Sequence, residues 1–161
     1  MGWEALQPYV SVIGNTRFAL WLGQSTWRIA GLLTIHLFGL TLLLGSVLLS
    51  SLNLLGLFQR AKASAQIRRE LQPVMLLGLS VMVASGALIF IGGAEAYYAG
   101  YWFRLKMVLL ALAVVFHFTL HRRIASAPAE RFSPTVRRIA GLATLALWFG
   151  VGCAGRAIAF F

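Results

Sequence analysis

Residues 29–58 read IAGLLTIHLFGLTLLLGSVLLSSLNLLGLF, thirty consecutive positions without a charge. About 20 apolar residues suffice to carry a helix across a ~30 Å hydrocarbon layer, so this stretch predicts a membrane-spanning helix. It is far longer than the apolar segment of a secretory leader, and no clear small-residue cleavage site follows, so it is read as a retained span. The span is placed at 27–50, with Ser25 as N-cap and Trp27 and Arg28 at the interface.

The rest of the chain has the same character. Of its 161 residues, 60% are hydrophobic and 11% charged, with mean hydropathy +0.82. A soluble domain of this size needs far more polar surface to cover its core. A second span is expected at 72–93, between Glu70 and Glu95. The string Tyr97, Tyr98, Tyr101, Trp102, Phe103 reads as an interfacial aromatic belt ahead of a third span at 101–122. The fourth falls at 138–159, with Arg156 near its far end. Four spans with short connections exhaust the length and leave no room for a soluble catalytic domain. No GxGxxG or GxxxxGK[ST] string is present either.

Residues 3–24 place Trp3, Leu6, Val10, Ile13, Phe18, Trp21 and Leu22 at helical spacing among few charges, which predicts an interfacial segment over 1–26. It reads as a membrane-surface anchor, with a lid over a site on that face as the other possibility. The expected fold class is therefore all-α: one integral membrane four-helix bundle with an N-terminal interfacial helix.

The net charge of +10 would raise nucleic acid as a partner of a soluble protein. Here the basic residues cluster in connections that meet lipid headgroups, so no nucleic-acid partner is expected. The 51–71 connection holds Arg60, Lys62, Arg68 and Arg69; the 122–138 connection holds Arg122, Arg123, Arg131, Arg137 and Arg138. Against these stand Arg17, Arg28, Arg104, Lys106 and Arg156. The positive-inside rule makes both connections cytoplasmic and both termini external, which in a bacterial inner membrane means periplasmic. The single cysteine, Cys153, reads as a small core residue. Pro128 and Pro134 bracket a flexible part of the second basic loop.

All three histidines fall inside predicted spans: His36 in the first, His117 and His121 in the third. An ionisable group inside a membrane is a functional-site hypothesis by default. His117 and His121, four apart, share a helix face. If Arg28 and Lys106 both reach the same surface, His36 lies eight residues below its anchor and His117 eleven below its own. That is an offset of only about 4.5 Å. One imidazole pair at near-equal depth across a bundle is what a six-coordinate haem b needs. Arg104, Lys106 and Arg156, at the same end, are candidates to hold its propionates or an anionic substrate. Glycines on the first, second and fourth spans leave room for a flat macrocycle or for ordinary helix packing.

Copper is the competing metal. His36, His117 and His121 offer three nitrogens, and Met75, Met82 and Met107 offer soft thioethers. Ordinary packing histidines in an accessory membrane subunit are the third reading. The four glutamates, Glu4, Glu70, Glu95 and Glu130, all lie outside the apolar spans, and the absence of aspartate excludes a Ser/His/Asp triad.

The strings TIHLFGLTLLLGSVLLSSLNLLGL (34–57), FRLKMVLLALA (103–113), LHRRI (120–124) and LWFGVGCAGRAIAFF (147–161) resemble a bacterial family of small four-helix membrane proteins. The resemblance covers nearly the whole chain. It extends to a wider group containing the copper-resistance D family, the membrane-type protoporphyrinogen oxidases and the di-haem cytochrome b proteins, and implies a four-helix bundle holding haem b through histidines. By position, His36 is similar to the first-helix histidine of that group, and Lys106 with His117 to the third-helix Lys and His of the oxidases. His121 followed by Arg122 stands where the small family keeps its histidine, so the second axial ligand is His117 or His121. The chain departs from the oxidases in lacking their Asn-Glu-x-Pro ending, with Trp148 to Phe161 there instead, and it has Ser51 and Asn53 where the small family favours Asp and Arg.

These readings combine into an expected function. The chain would be an inner-membrane b-type cytochrome, ligated by His36 and His117 (or His121), passing electrons between a quinone or membrane partner and an acceptor on the outer face. If it is an enzyme, it is an oxidoreductase or electron-transfer subunit. A copper-handling membrane protein and a cofactor-free accessory subunit are the alternatives, and a second copy of the chain is a candidate partner.

Overall fold

The computed structural model describes residues 3–57, 64–128 and 131–160. Arg60, Lys62 and Glu130 lie outside the described residues, as does the side chain of Arg68. The described residues are helical and contain no strand. A 3₁₀ turn, Trp3–Leu6, leads into α1 (Gln7–Gly14) and α2 (Arg17–Gly23). The long helices follow: α3 (Thr26–Leu54), α4 (Ser64–Ile91), then the short α5 (Ala94–Ala99) and α6 (Tyr101–Phe116). α6 continues through a π turn, His117–His121, into α7 (Arg122–Ser126), and α8 (Pro134–Ala157) closes the bundle.

Four helices are long and apolar enough to cross a membrane: Thr26–Leu54, Arg69–Ile91, Tyr101–Ser126 and Pro134–Ala157. The chain is a multi-pass membrane protein. Large apolar side chains such as Ile35, Leu37, Phe38, Leu77, Val115 and Phe149 point outward, as they must where the solvent is hydrocarbon. The spans match the expected ones apart from their ends. α8 begins at Pro134 rather than 138, because the Ser133 hydroxyl accepts the Val136 N–H at 3.3 Å and Pro134 occupies the first turn. Pro134 thus starts a helix instead of bracketing a loop. Ser25 takes the N-cap position of α3, yet its side chain makes no capping bond.

The N-terminal segment is two short helices, not one. The break falls at Asn15–Thr16, where Thr16 Oγ1 accepts the Ala19 N–H at 3.2 Å and starts α2 afresh. Val10 packs with Ala94 and Tyr98, while Ala19 and Leu22 are also buried. Tyr9, Val12, Phe18 and Trp21 stay exposed, the apolar surface expected of a segment at a membrane boundary.

The central core joins Leu43 and Val47 of α3, Met75 and Met82 of α4, Ala113 of α6, and Trp148 and Val151 of α8. Glycine sets the α3–α4 crossing. A Cβ on Gly78 would stand 2.6 Å from Leu43 N and 2.8 Å from Gly39 O, so the two backbones are in direct contact there. α6 packs against α8, and α8 against α3, whereas α4 and α6 make at most marginal backbone contact along their length. One end of the bundle carries α1, α2, α5 and the C-terminus, here the termini end. The other carries the Arg-rich connections, here the basic end. Cys153 is exposed rather than part of the core.

Candidate functional site

The ionisable groups inside the spans fall into two sets at opposite ends. At the basic end, the π turn places His121 almost directly over His117: their rings stack with centroids 4.6 Å apart and planes 17° from parallel. A π turn fits more residues into each turn than an α-helix, and such turns recur at functional positions. Both imidazoles are buried.

His121 is tied to two other helices. Its Nδ1 lies 2.8 Å from Thr144 Oγ1 on α8, and its Nε2 lies 2.9 Å from Ser50 Oγ on α3. The Thr144 hydroxyl donates its only hydrogen to the Ala140 carbonyl at 2.8 Å, so toward His121 it can only accept. The hydrogen-bond network therefore assigns the proton to Nδ1, and the Ser50 hydroxyl donates to Nε2. His117 is different: its Nδ1 is buried without any hydrogen-bond partner among the described residues. A buried polar atom in that state calls for an explanation, of which a water or an ion is one.

Beside these rings lies a cavity of about 30 Å³ lined by Ser46, Ser50, Gln72, Met75, His117 and His121, with Leu71, Phe118 and Arg122 completing it. That volume admits a water molecule or a single ion. Arg122, though exposed as a residue, is among those that line it.

At the termini end, His36 Nδ1 sits 3.0 Å from Ser85 Oγ. The Ser85 hydroxyl donates to the Val81 carbonyl at 2.6 Å, so it accepts from His36 Nδ1–H and leaves Nε2 as the free lone pair. Gly86 makes room for the ring, since a Cβ there would lie 3.1 Å from His36 Cε1. Lys106 packs along Gly155, whose Cβ would stand 3.4 Å from both Cε and Nζ.

This placement corrects the expected haem geometry. Ser46, which shares the cavity with His117, is ten residues beyond His36 on α3, so the two histidines differ in depth by about 15 Å. The expectation failed because Lys106 packs inward against Gly155 instead of anchoring at the surface as Arg28 was expected to. No single iron can take both imidazoles. The space between them is filled by Trp148, Leu43, Val47 and Met82. Pockets for cofactors and other small molecules run to roughly 300 Å³ or more; a cleft of about 330 Å³ between α2 and the α4–α5 turn is lined by no histidine. The residues present do not fit a bis-histidine haem.

Arg104 and Arg156 do not converge on His36 either. Arg104 Nη2 donates to the Ala99 carbonyl at 2.8 Å, and the Arg156 guanidinium lies 4.6 Å over the Phe160 ring. The three histidines form no joint metal site, and among the described residues no group of three His, Cys, Asp or Glu comes together. Of the thioethers, Met75 alone joins the histidine pair in the cavity. Sequence reasoning missed Ser50, Gln72, Ser85 and Thr144; the available signal was their polarity within apolar spans.

A family model described as a family of unknown function (DUF6644) matches residues 11–161. No curated protein and no solved structure matches the chain.

Proposed function

The chain belongs to this family of unknown function, and we propose from its own residues that it is a copper-handling membrane protein, binding one Cu(I) at the basic end. The observation that carries this reading is the cavity of about 30 Å³ where Met75 meets His117 and His121, next to a buried His117 Nδ1 that has no partner. One thioether and two imidazoles form a soft donor set suited to Cu(I). Zinc would call for a fourth, harder or thiolate ligand, which the described residues do not bring there. His121 would exchange the Ser50 hydroxyl for the metal, while its Nδ1–H on Thr144 is the kind of orienting bond that metal-binding imidazoles carry. When bound, the ion would be held in a low-dielectric pocket that favours the univalent state.

The clustering of Arg69, Arg122, Arg123, Arg131, Arg137 and Arg138 at one end supports placing that end in the cytoplasm. In a bacterial inner membrane both termini would then be periplasmic, and the copper site would lie near the cytoplasmic side.

Anaerobic Cu(I) titration of detergent-purified protein against a chromogenic chelator tests the reading. Wild type is expected to hold one equivalent; His117→Ala and Met75→Leu lose it, and His36→Ala keeps it. Failure of the wild type to retain copper sinks the proposal. A Soret band that survives purification would return haem to the front.

A further inference from the structure

The two imidazoles beside the cavity are not equally available to a metal. His117 Nδ1 has no partner among the described residues, whereas both ring nitrogens of His121 are engaged. The two bonds of His121 differ in kind. Thr144 and His121 are each 1% exposed, and the Thr144 hydrogen is committed to the Ala140 carbonyl, so this bond fixes the Nδ1–H tautomer in a place shielded from solvent. Ser50 lines the cavity and Thr144 does not. The nitrogen on the cavity side is thus Nε2, and the Ser50 hydroxyl, 2.9 Å away, holds its lone pair.

Ser50 has somewhere else to turn. Thr34, Thr41 and Ser46 of the same helix each donate to the carbonyl four residues back, a bond open to helical serines and threonines in general. For Ser50 that carbonyl belongs to Ser46, and rotation about χ1 between staggered positions exchanges the imidazole for it. The Ser46 hydrogen already lies on the Leu42 carbonyl at 2.8 Å, so Ser46 does not take over the imidazole when Ser50 lets go. We propose that Ser50 is the gate of the copper site and Thr144 its positioning residue. This rests on the Cu(I) reading above and adds how the site takes up and gives back its ion: the Ser50 hydroxyl competes with the metal for His121 Nε2, turns onto its own helix as Cu(I) binds and returns as it leaves, while Thr144 keeps the proton on Nδ1 throughout. Competition by a hydrogen bond lowers the affinity that the same donors would otherwise have, which suits a site that passes its ion on rather than stores it.

Anaerobic Cu(I) titration of the full chain in detergent against a chromogenic chelator, paired with thermal unfolding with and without copper, tests this. Ser50→Ala removes the competitor and should bind Cu(I) about fivefold more tightly than wild type. The same variant should melt below wild type without copper, and the gap should close when copper is saturating. A purely structural bond would instead lower stability and affinity together. The position is half-buried on a helix, where alanine is well tolerated. Thr144→Val should weaken binding about tenfold, and Thr144→Ser, which keeps the hydroxyl, should restore most of it. Ser50→Ala binding no tighter than wild type overturns the gate, and Thr144→Ser no better than Thr144→Val overturns the positioning role. The failure of the underlying reading looks different: wild type itself then retains no copper, and the gate falls with the site.

Discussion

The two ends of the bundle treat a buried histidine in opposite ways. At the basic end, His121 spends both ring nitrogens on hydroxyls from two other helices and so ties α3, the α6–α7 turn and α8 together. At the termini end, His36 makes one such bond, to Ser85 of the neighbouring α4. Lipid offers no hydrogen bonds, so each polar group must find its partner within the protein or from a ligand. At the basic end His117 Nδ1 and Ser51 Oγ are left without a hydrogen-bond partner among the described residues; at the termini end His36 is only half-buried. The same residue type therefore braces three helices in one half and joins a single pair in the other.

The largest difference between the ends should appear in stability. His121→Ala removes two cross-helix bonds and a fully buried ring, leaving a cavity on three helices. We expect it to cost about 3 kcal/mol, against about 1 kcal/mol for the half-buried His36→Ala with its one bond to a hydroxyl. Thermal or denaturant unfolding in one detergent, read by circular dichroism, measures both. Equal losses would mean that the cross-brace does not distinguish the two ends.

Thr144→Val goes a step finer. The substitution keeps the shape and removes the acceptor that holds the His121 Nδ1 proton, so a buried N–H is left without a partner. A loss of about 1.5 kcal/mol is expected. Ser85→Ala removes the corresponding partner from His36, whose more open position lets another polar group substitute, and it should cost less. The double variant His121→Ala/Thr144→Val separates the bond from the packing: if the bond is the cause, Thr144→Val adds little once His121 is gone.

Much of this arrangement could be read from the amino acids alone. The uncharged run at 29–58 and the three other spans were plain from length and hydropathy, and the histidines stood out as ionisable groups in apolar helices. Their depths were not legible, because Lys106 was taken to reach the surface, and whether a lysine snorkels or packs inward against Gly155 is decided by its neighbours. The hydroxyl partners were hidden for a different reason. Thr34, Thr41 and Ser46 all bond the carbonyl four residues back, and so does Thr144. Nothing local separates Thr144 from the others; what distinguishes it is an imidazole 23 residues away, brought there by the packing of α8 on the π turn. The π turn itself has no sequence mark either, although it is what stacks the two rings.

The smallest expected effects come from two glycines at the termini end, and they test whether that end is built around its side chains. A Cβ at Gly86 would meet His36 Cε1 at 3.1 Å, tighter than ordinary contact, so the imidazole must shift by a few tenths of an ångström. A Cβ at Gly155 would meet Lys106 Cε and Nζ at 3.4 Å, a distance that the flexible stem absorbs. Both substitutions also gain helix propensity, worth up to about 1 kcal/mol for Gly to Ala. Gly155→Ala should therefore be neutral or slightly stabilising, and Gly86→Ala should come out near zero because the strained ring offsets the gain. If both variants gain equal stability, the imidazole moves aside without strain and Gly86 is an ordinary packing residue of α4.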